Sequence, residues 1–142
     1  MDYPLLANIV AHARFVGVGE STHGTHEFFE FKASLFKELV LHHRFNTLLL
    51  EDSAYVCRDI NKYIKYGVGD LPALMSRLYS VWRIEELQEL LEWLHKNSSN
   101  YLLEFIGFDI KQTSGNLSVR DELMAANILR LAKKNSSMKA LV

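Results

Sequence analysis

The hydrophobic positions of the chain fall into short unbroken runs separated by stretches with helical spacing. Three largely apolar runs, Arg14–Glu20, Phe45–Glu51 and Glu104–Asp109, each end at an acidic residue. None of them alternates apolar with polar residues, and such runs are typical of strands that are covered on both faces. The pattern therefore predicts three buried strands of a parallel sheet.

Between these runs, apolar residues recur at intervals of three and four positions. Such stripes predict helices over His26–His43, Val56–Ile64 and Ile84–Lys96, with Gly67 as a stop after the second. A last helix is expected to open at Ser118, where a serine is followed by an acid three residues later. Strands alternating with helices predict a single α/β domain over 1–142, with a mostly parallel sheet flanked by helices.

Composition excludes several classes of function. The 16 basic residues are scattered among 17 acidic ones, which argues against a nucleic-acid partner. No run approaches the roughly 18 apolar residues that cross a bilayer, and the N-terminus lacks the pattern of a signal peptide. The single Cys57 forms no internal disulfide and is expected to pack as a small apolar residue. We therefore expect a cytoplasmic protein with no membrane partner.

The candidate chemistry begins with the acids at the strand ends, Glu20, Glu51 and Asp109. Ligands collect beyond the carboxyl ends of an open parallel sheet, where neighbouring strands lie about 4.8 Å apart. Crowded, partly desolvated carboxylates have raised pKa values and suit acid–base chemistry. Each acid could instead stabilise the start of the following helix, and Asp109 could bond to its own loop. Three equivalent positions favour a shared site.

Imidazole and aromatic side chains add to this candidate site. His23 follows Glu20 by three residues in the predicted loop; a carboxylate in reach fixes the tautomer of an imidazole and lets it take a proton from water. His26 is expected either in the first helical turn or as a support for His23. Trp82 precedes a predicted helix and could wall a pocket, although packing in the core is the simpler interpretation.

Two other chemistries compete for the same stretch. Ser21 lies in Gly-x-Ser-x-His, but a nucleophile elbow requires a small residue where His23 stands. A metal site is the other possibility, although the spacing is not that of His-Glu-x-x-His. Its ligands would be His23, His26 and Glu27 with Glu20 or Glu51.

Several blocks of the sequence resemble one family. "GESTHGTHEFFEFK", followed 31 residues after its Glu by the Glu of "LLLEDS", resembles the N-terminal part of the erythromycin esterase-like proteins. Relatives of that family are often labelled as succinoglycan-biosynthesis proteins. "VWRIEELQELLEWLHKNS", "FIGFDIK" and "VRDELMAANI" resemble further blocks in the same order. The resemblance implies an α/β fold and an esterase activity that opens macrolide lactones by water attack, an activity associated with antibiotic resistance.

The resemblance also implies roles for individual residues. Glu20 and Glu51 match the two active-site glutamates, and His23 matches the histidine proposed as the general base. Lys32 stands where the family often has an arginine in the first helix; lysine keeps the charge but loses the planar fork. No cofactor is implied, and the expected partner is a small-molecule ester substrate.

The chain departs from the family pattern in ways that lower the expected activity. Family members run to several hundred residues, so the sheet is expected to be incomplete relative to theirs. A second catalytic histidine would follow "MKALV", and "FDIKQTSGNLSVRDE" is short where the family carries a helical insertion. We therefore expect weak or no activity from this chain alone. A non-catalytic remnant that self-associates through an unfinished edge, after the third or last strand, is the alternative.

Overall fold

The computed structural model describes residues 1–19, 26–109 and 116–142. The helices in these ranges are α1 (Tyr3–Val10), α2 (His26–His43), α3 (Ala54–Tyr66), α4 (Leu71–Met75), α5 (Glu85–Asn97) and α6 (Leu117–Lys134), with a 3-10 turn at Ser80–Trp82. The strands are β1 (Phe15–Val16), β2 (Thr47–Ser53), β3 (Glu104–Asp109) and β4 (Ala140–Leu141). None of the described helices is long and apolar enough to cross a bilayer.

These strands form one sheet in the order β1-β4-β2-β3, with every pair parallel. The predicted α/β class and the mostly parallel sheet flanked by helices are therefore confirmed. β2 continues to Ser53, so the expectation that this strand ends at Glu51 is wrong. β4 was not predicted, because a two-residue strand is too short to produce a periodic signal. α6 begins at Leu117 with Asn116 as its cap, so the predicted start at Ser118 is also wrong.

β4 lies between β1 and β2, so the edges of the described sheet are β1 and β3. Two asparagine side chains bond the backbone of β3. Asn61 Oδ1 accepts from the N–H of Phe105 at 2.9 Å, and Asn127 Nδ2 donates to the carbonyl of Phe108 at 3.1 Å. Bonds of this kind make a strand edge less available to another chain. Self-association through a sheet edge stays a prediction.

Helices cover the two faces of the sheet unequally. Leu48 and Leu50 join the larger core under α1–α5, whereas Leu49 and Phe108 join a smaller cluster under α6. Successive residues of a strand point to opposite faces, so a strand covered on both faces needs apolar residues at every position. The unbroken apolar run of β2 is explained by this double coverage.

A bulge interrupts the pairing of β2 with β3 at their carboxyl ends. The register shifts so that Glu51 and Asp52 stand opposite Phe108 alone. Such a bulge re-aims side chains and is common next to functional sites. Gly107 permits the close approach of the two strands, because a Cβ there would lie 2.5 Å from the Asp52 carbonyl oxygen and 2.7 Å from that of Ser53.

Two cations hold the segment that carries β4. Arg14 Nε donates to the carbonyl of Met138 at 3.0 Å. Lys139 Nζ donates to the carbonyls of Ala11 at 2.7 Å and His43 at 3.0 Å, at the carboxyl ends of α1 and α2. Positive charge is favoured at the carboxyl end of a helix. These bonds connect the segment that carries β4 to α1 and α2, which lie near the N-terminus.

We expect Gly107→Ala to lower the free energy of unfolding by about 1–3 kcal/mol, because the added methyl group overlaps backbone carbonyls that cannot move aside. Urea unfolding followed by circular dichroism measures the change. Gly17→Ala is the matched control, since a Cβ on Gly17 meets nothing within 4 Å. Equal stability of the two variants would contradict the close approach of β2 and β3.

Cys57 supplies a second test of the packing. The thiol is buried, and burial first and the nearby Asp52 carboxylate second raise its pKa above the usual range. The thiolate is the reactive form, so we expect labelling by an aromatic disulfide at pH 8 to be on the order of a hundredfold slower in the native protein than in urea. Fast labelling of the folded protein would show that Cys57 is accessible.

Candidate functional site

A cleft lies at the carboxyl ends of β1 and β2. Its volume is about 400 Å³, and its walls include Gly17–Gly19 after β1, Lys32 of α2, Glu51 of β2 and Trp82. The position is the one at which open parallel sheets bind ligands. A larger groove of about 580 Å³ lies along α4 and α5, away from the strand ends, and contains none of the predicted site residues.

Glu51 lies in the bulge of β2 and is held through its backbone. Its carbonyl oxygen accepts a hydrogen bond from Trp82 Nε1 at 3.1 Å. Its side chain is 38% exposed, so the carboxylate remains reachable by solvent. Trp82 is itself 5% exposed and packs against Phe29 with ring centroids 6.3 Å apart. Trp82 therefore belongs to the core and also walls the cleft, which combines the two interpretations of its position.

Glu51 and Asp109 both bond the guanidinium of Arg120, which lies in the first turn of α6. Nη2 of Arg120 donates to Glu51 Oε1 and to Asp109 Oδ2, each at 2.8 Å, and Nε donates to Asp109 Oδ1 at 3.1 Å. The bonds to Asp109, and then the charge of Glu51, raise the pKa of Arg120, although partial burial opposes the shift. The permanent cation offsets the repulsion that the sequence predicts between the two acids. Asp109 thus bonds to α6. Its alternative bond to its own loop, residues 110–115, lies outside the described residues and stays a prediction.

Asp52 and Tyr79 extend this network into the protein. Asp52 is fully buried and accepts from the backbone N–H groups of Ser53 and Tyr79, both at 2.6 Å. The hydroxyl of Tyr79 donates to Asp109 Oδ2 at 2.9 Å. Burial, followed by this hydrogen bond, raises the pKa of Tyr79 above its usual range. The network connects β2, β3 and the turn that carries Trp82.

Arg120 and Asp52 were not predicted to be part of the site. Arg120 lies in a segment that was interpreted only as the start of a helix. A basic residue near the N-terminus of a helix is disfavoured by the helix dipole, and this signal could have identified Arg120. Asp52 follows Glu51 directly, but the strand was expected to end at Glu51. In each case one bonded partner comes from another element far along the chain, since Asp52 bonds Tyr79 and Arg120 bonds Glu51.

Lys32 brings a positive charge to the same cleft. Its Nζ lies 5.9 Å from the centroid of the Trp82 ring, within the range of a cation–π contact. A cation in a partly enclosed cleft can stabilise negative charge that develops on a substrate oxygen. The structure therefore places Lys32, Glu51 and Trp82 together, with Asp109 reaching Glu51 through Arg120.

The other described residues that were predicted for the site are not among those that line the cleft. His26 is exposed and its Nδ1 pairs with Glu86 of α5. Glu20, Ser21 and His23 lie outside the described residues, so their predicted roles stay predictions. Among the side chains that the structure describes, no group of three or more His, Cys, Asp or Glu residues is arranged to hold a metal ion.

The chain is similar to proteins of one family. The family model described as erythromycin esterase matches residues 40–118, more than half of the chain. Erythromycin esterase type I from Escherichia coli is 29% identical over 133 residues. The aligned region covers 92% of this chain and 32% of that protein.

Two solved structures share the fold. A crystal structure of a Bacillus cereus protein has a TM-score of 0.68 at 31% identity, covering 92% of this chain and 32% of that one. A crystal structure of a succinoglycan biosynthesis protein also has a TM-score of 0.68, at 24% identity, over 95% of this chain and 37% of that one. The chain therefore spans about a third of the length of these relatives.

The network predicts a pH dependence of stability. Because the pKa of Tyr79 is raised by folding, the folded protein keeps this proton at a pH where an unfolded tyrosine, with a pKa of about 10, loses it. The stabilisation is complete below pH 10 and declines as the pH rises further. We expect the decline in the free energy of unfolding between pH 9 and 11 to be shallower in Tyr79→Phe, as measured by urea unfolding. Tyr66→Phe, at a residue that is 74% exposed, should retain the wild-type slope.

Proposed function

This chain belongs to the erythromycin esterase family, and from that premise we propose that it forms part of a site in which water hydrolyses an ester or a macrolide lactone. Family membership supports a hydrolase-like domain. The likeness to the Escherichia coli esterase supports the choice of a macrolide as the first substrate to test. The compartment that we propose is the cytoplasm.

One observation carries the proposal. Gly17–Gly19, at the carboxyl end of β1, line the same cleft as Glu51. The next residue along the chain is Glu20, and His23 follows three residues later. The cleft wall is therefore followed at once in the sequence by the residues that match the other active-site glutamate and the general base of the family. Lys32 of α2 supplies a cation to the same cleft.

The proposed reaction begins with His23 taking a proton from a water molecule. The resulting hydroxide adds to the ester carbonyl carbon and forms a tetrahedral oxyanion, which Lys32 stabilises by its charge. Collapse of this intermediate breaks the bond to the alkoxy oxygen, which leaves with the proton from the His23 imidazolium. The products are a carboxylic acid and an alcohol, joined in one molecule when the substrate is a lactone.

The acids have supporting roles in this proposal. Glu20 orients His23 and stabilises its imidazolium form, as a carboxylate beside an imidazole does. Glu51 holds the attacking water. Its Oε1 is bonded to Arg120, while Oε2 has no hydrogen bond to any residue within 1–19, 26–109 or 116–142 and is free to accept one from water. The partial exposure of Glu51 agrees with this role.

The test is ring opening of a macrolide, followed by mass spectrometry of the acid formed on addition of water. We expect a slow rate, because the chain corresponds to about a third of its relatives' length. His23→Ala and Glu51→Gln should each lower that rate at least about 100-fold. Glu122→Gln, which removes an exposed carboxylate from α6, is the matched control and should leave the rate unchanged.

Other outcomes would count against the proposal. A rate that persists in Glu51→Gln would exclude Glu51 from the mechanism. Loss of the rate after chelator treatment, with its return on adding a divalent cation, would favour the metal site suggested by the same sequence stretch. If neither a macrolide nor an activated aryl ester is hydrolysed, the result would favour the non-catalytic alternative over the proposed hydrolysis.

A further inference from the structure

Arg120 connects the partly exposed Glu51 to the buried Asp109. We propose that Arg120 is a positioning residue, which fixes the Glu51 carboxylate in the cleft by tying it to the buried Asp109. The consequence for turnover rests on the proposed function, whereas the positioning itself does not. Arg120 would act on the reaction through Glu51 and would not touch the substrate.

The first argument is the difference in burial of the two acids. The side chain of Asp109 is 1% exposed, that of Arg120 is 30% exposed, and that of Glu51 is 38% exposed. Among the described residues, Arg120 makes three hydrogen bonds, and two of them go to Asp109, which also accepts from Tyr79. The guanidinium is therefore anchored on its buried side, and the remaining bond reaches outward to Glu51.

The second argument is the position of Arg120 in its helix. α6 begins at Leu117, and Asn116 caps it by accepting from the N–H groups of Ser118 and Val119. Arg120 follows in the first turn, where a positive charge is unfavourable because the helix dipole is also positive there. Local rules of this kind are broken mostly at functional sites, where other contacts compensate. Here the two carboxylates provide that compensation.

The third argument is the conformation of Glu51. Its backbone lies in the bulge, and its carbonyl oxygen is held by Trp82. A flexible glutamate side chain on this backbone still has several rotamers, and the bond to Arg120 selects one of them. Both ends of Glu51 are thus fixed, which is the pre-organisation that a water-holding carboxylate requires.

The direct test is nuclear magnetic resonance of the 142-residue chain labelled with carbon-13 at the glutamate carboxyl groups. Glu51→Gln assigns the Glu51 signal. We expect this signal to shift in Arg120→Met and in Arg120→Lys, since lysine lacks the planar fork that reaches both acids. Arg130→Met, at an exposed arginine of the same helix, is the matched control and should leave the signal in place. An unchanged Glu51 signal in folded Arg120→Met would overturn the proposal.

Arg120→Met leaves the charge of Asp109 buried without its cation, and the variant could fail to fold. The double variant Arg120→Met with Asp109→Asn removes both charges and keeps the fold testable. In that background the Glu51 signal should be displaced from its wild-type position, whereas Asp109→Asn alone should displace it less because Arg120 still reaches Glu51. Equal displacement in the two variants would assign the positioning to Asp109 rather than to Arg120.

The kinetic consequence is measured separately on ring opening. We expect Arg120→Lys to lower kcat about 10- to 100-fold, the usual cost of a displaced reacting group, with less than about a twofold change in KM. Arg130→Met should retain the wild-type values. If the wild-type chain hydrolyses nothing, the proposed function fails and the resonance experiment alone decides on Arg120. A normal kcat in Arg120→Lys with a displaced Glu51 signal would overturn the role in turnover.

Discussion

The carboxylate of Asp109 constrains the functional end of this structure. With 1% of its side chain exposed, it needs a cation and further donors, because breaking a buried ion pair typically costs on the order of 3–5 kcal/mol. Arg120 and Tyr79 meet that need from α6 and from the turn before α5. One buried charge therefore draws two separate segments to the carboxyl end of β3, and the candidate site lies beside the point where they meet.

The bulge in β2 allows consecutive acids to serve different partners. Glu51 bonds Arg120, while Asp52 bonds the backbone that leads into Tyr79. This local geometry depends on Gly107, whose lack of a side chain lets β3 pass close to the carbonyls of Asp52 and Ser53. The fold and the site are thus coupled through a short stretch of backbone, and a change in strand packing would alter the position of a proposed catalytic group.

Much of the architecture was predictable from local patterns. Unbroken apolar runs identified β2 and β3 because both faces of each strand are covered, and three-to-four spacing identified α2, α3 and α5. The same patterns placed Glu51 and Asp109 at one rim of a parallel sheet, which is where the structure has them. The family resemblance was also visible in short sequence blocks. Glu20 and His23, outside the described residues, remain predictions.

The sequence by itself determined the properties that depend on neighbours along the chain. These are the strand and helix types and the acids at the strand ends. Tertiary structure decided the rest. β4 exists only because β1 and β2 pair with it on either side, and Asp109 acquires its role only because Arg120 approaches from α6. The physical reason is that pairing of buried charges and close backbone approach are set by distances between segments far apart in sequence, and local periodicity carries no information about those distances.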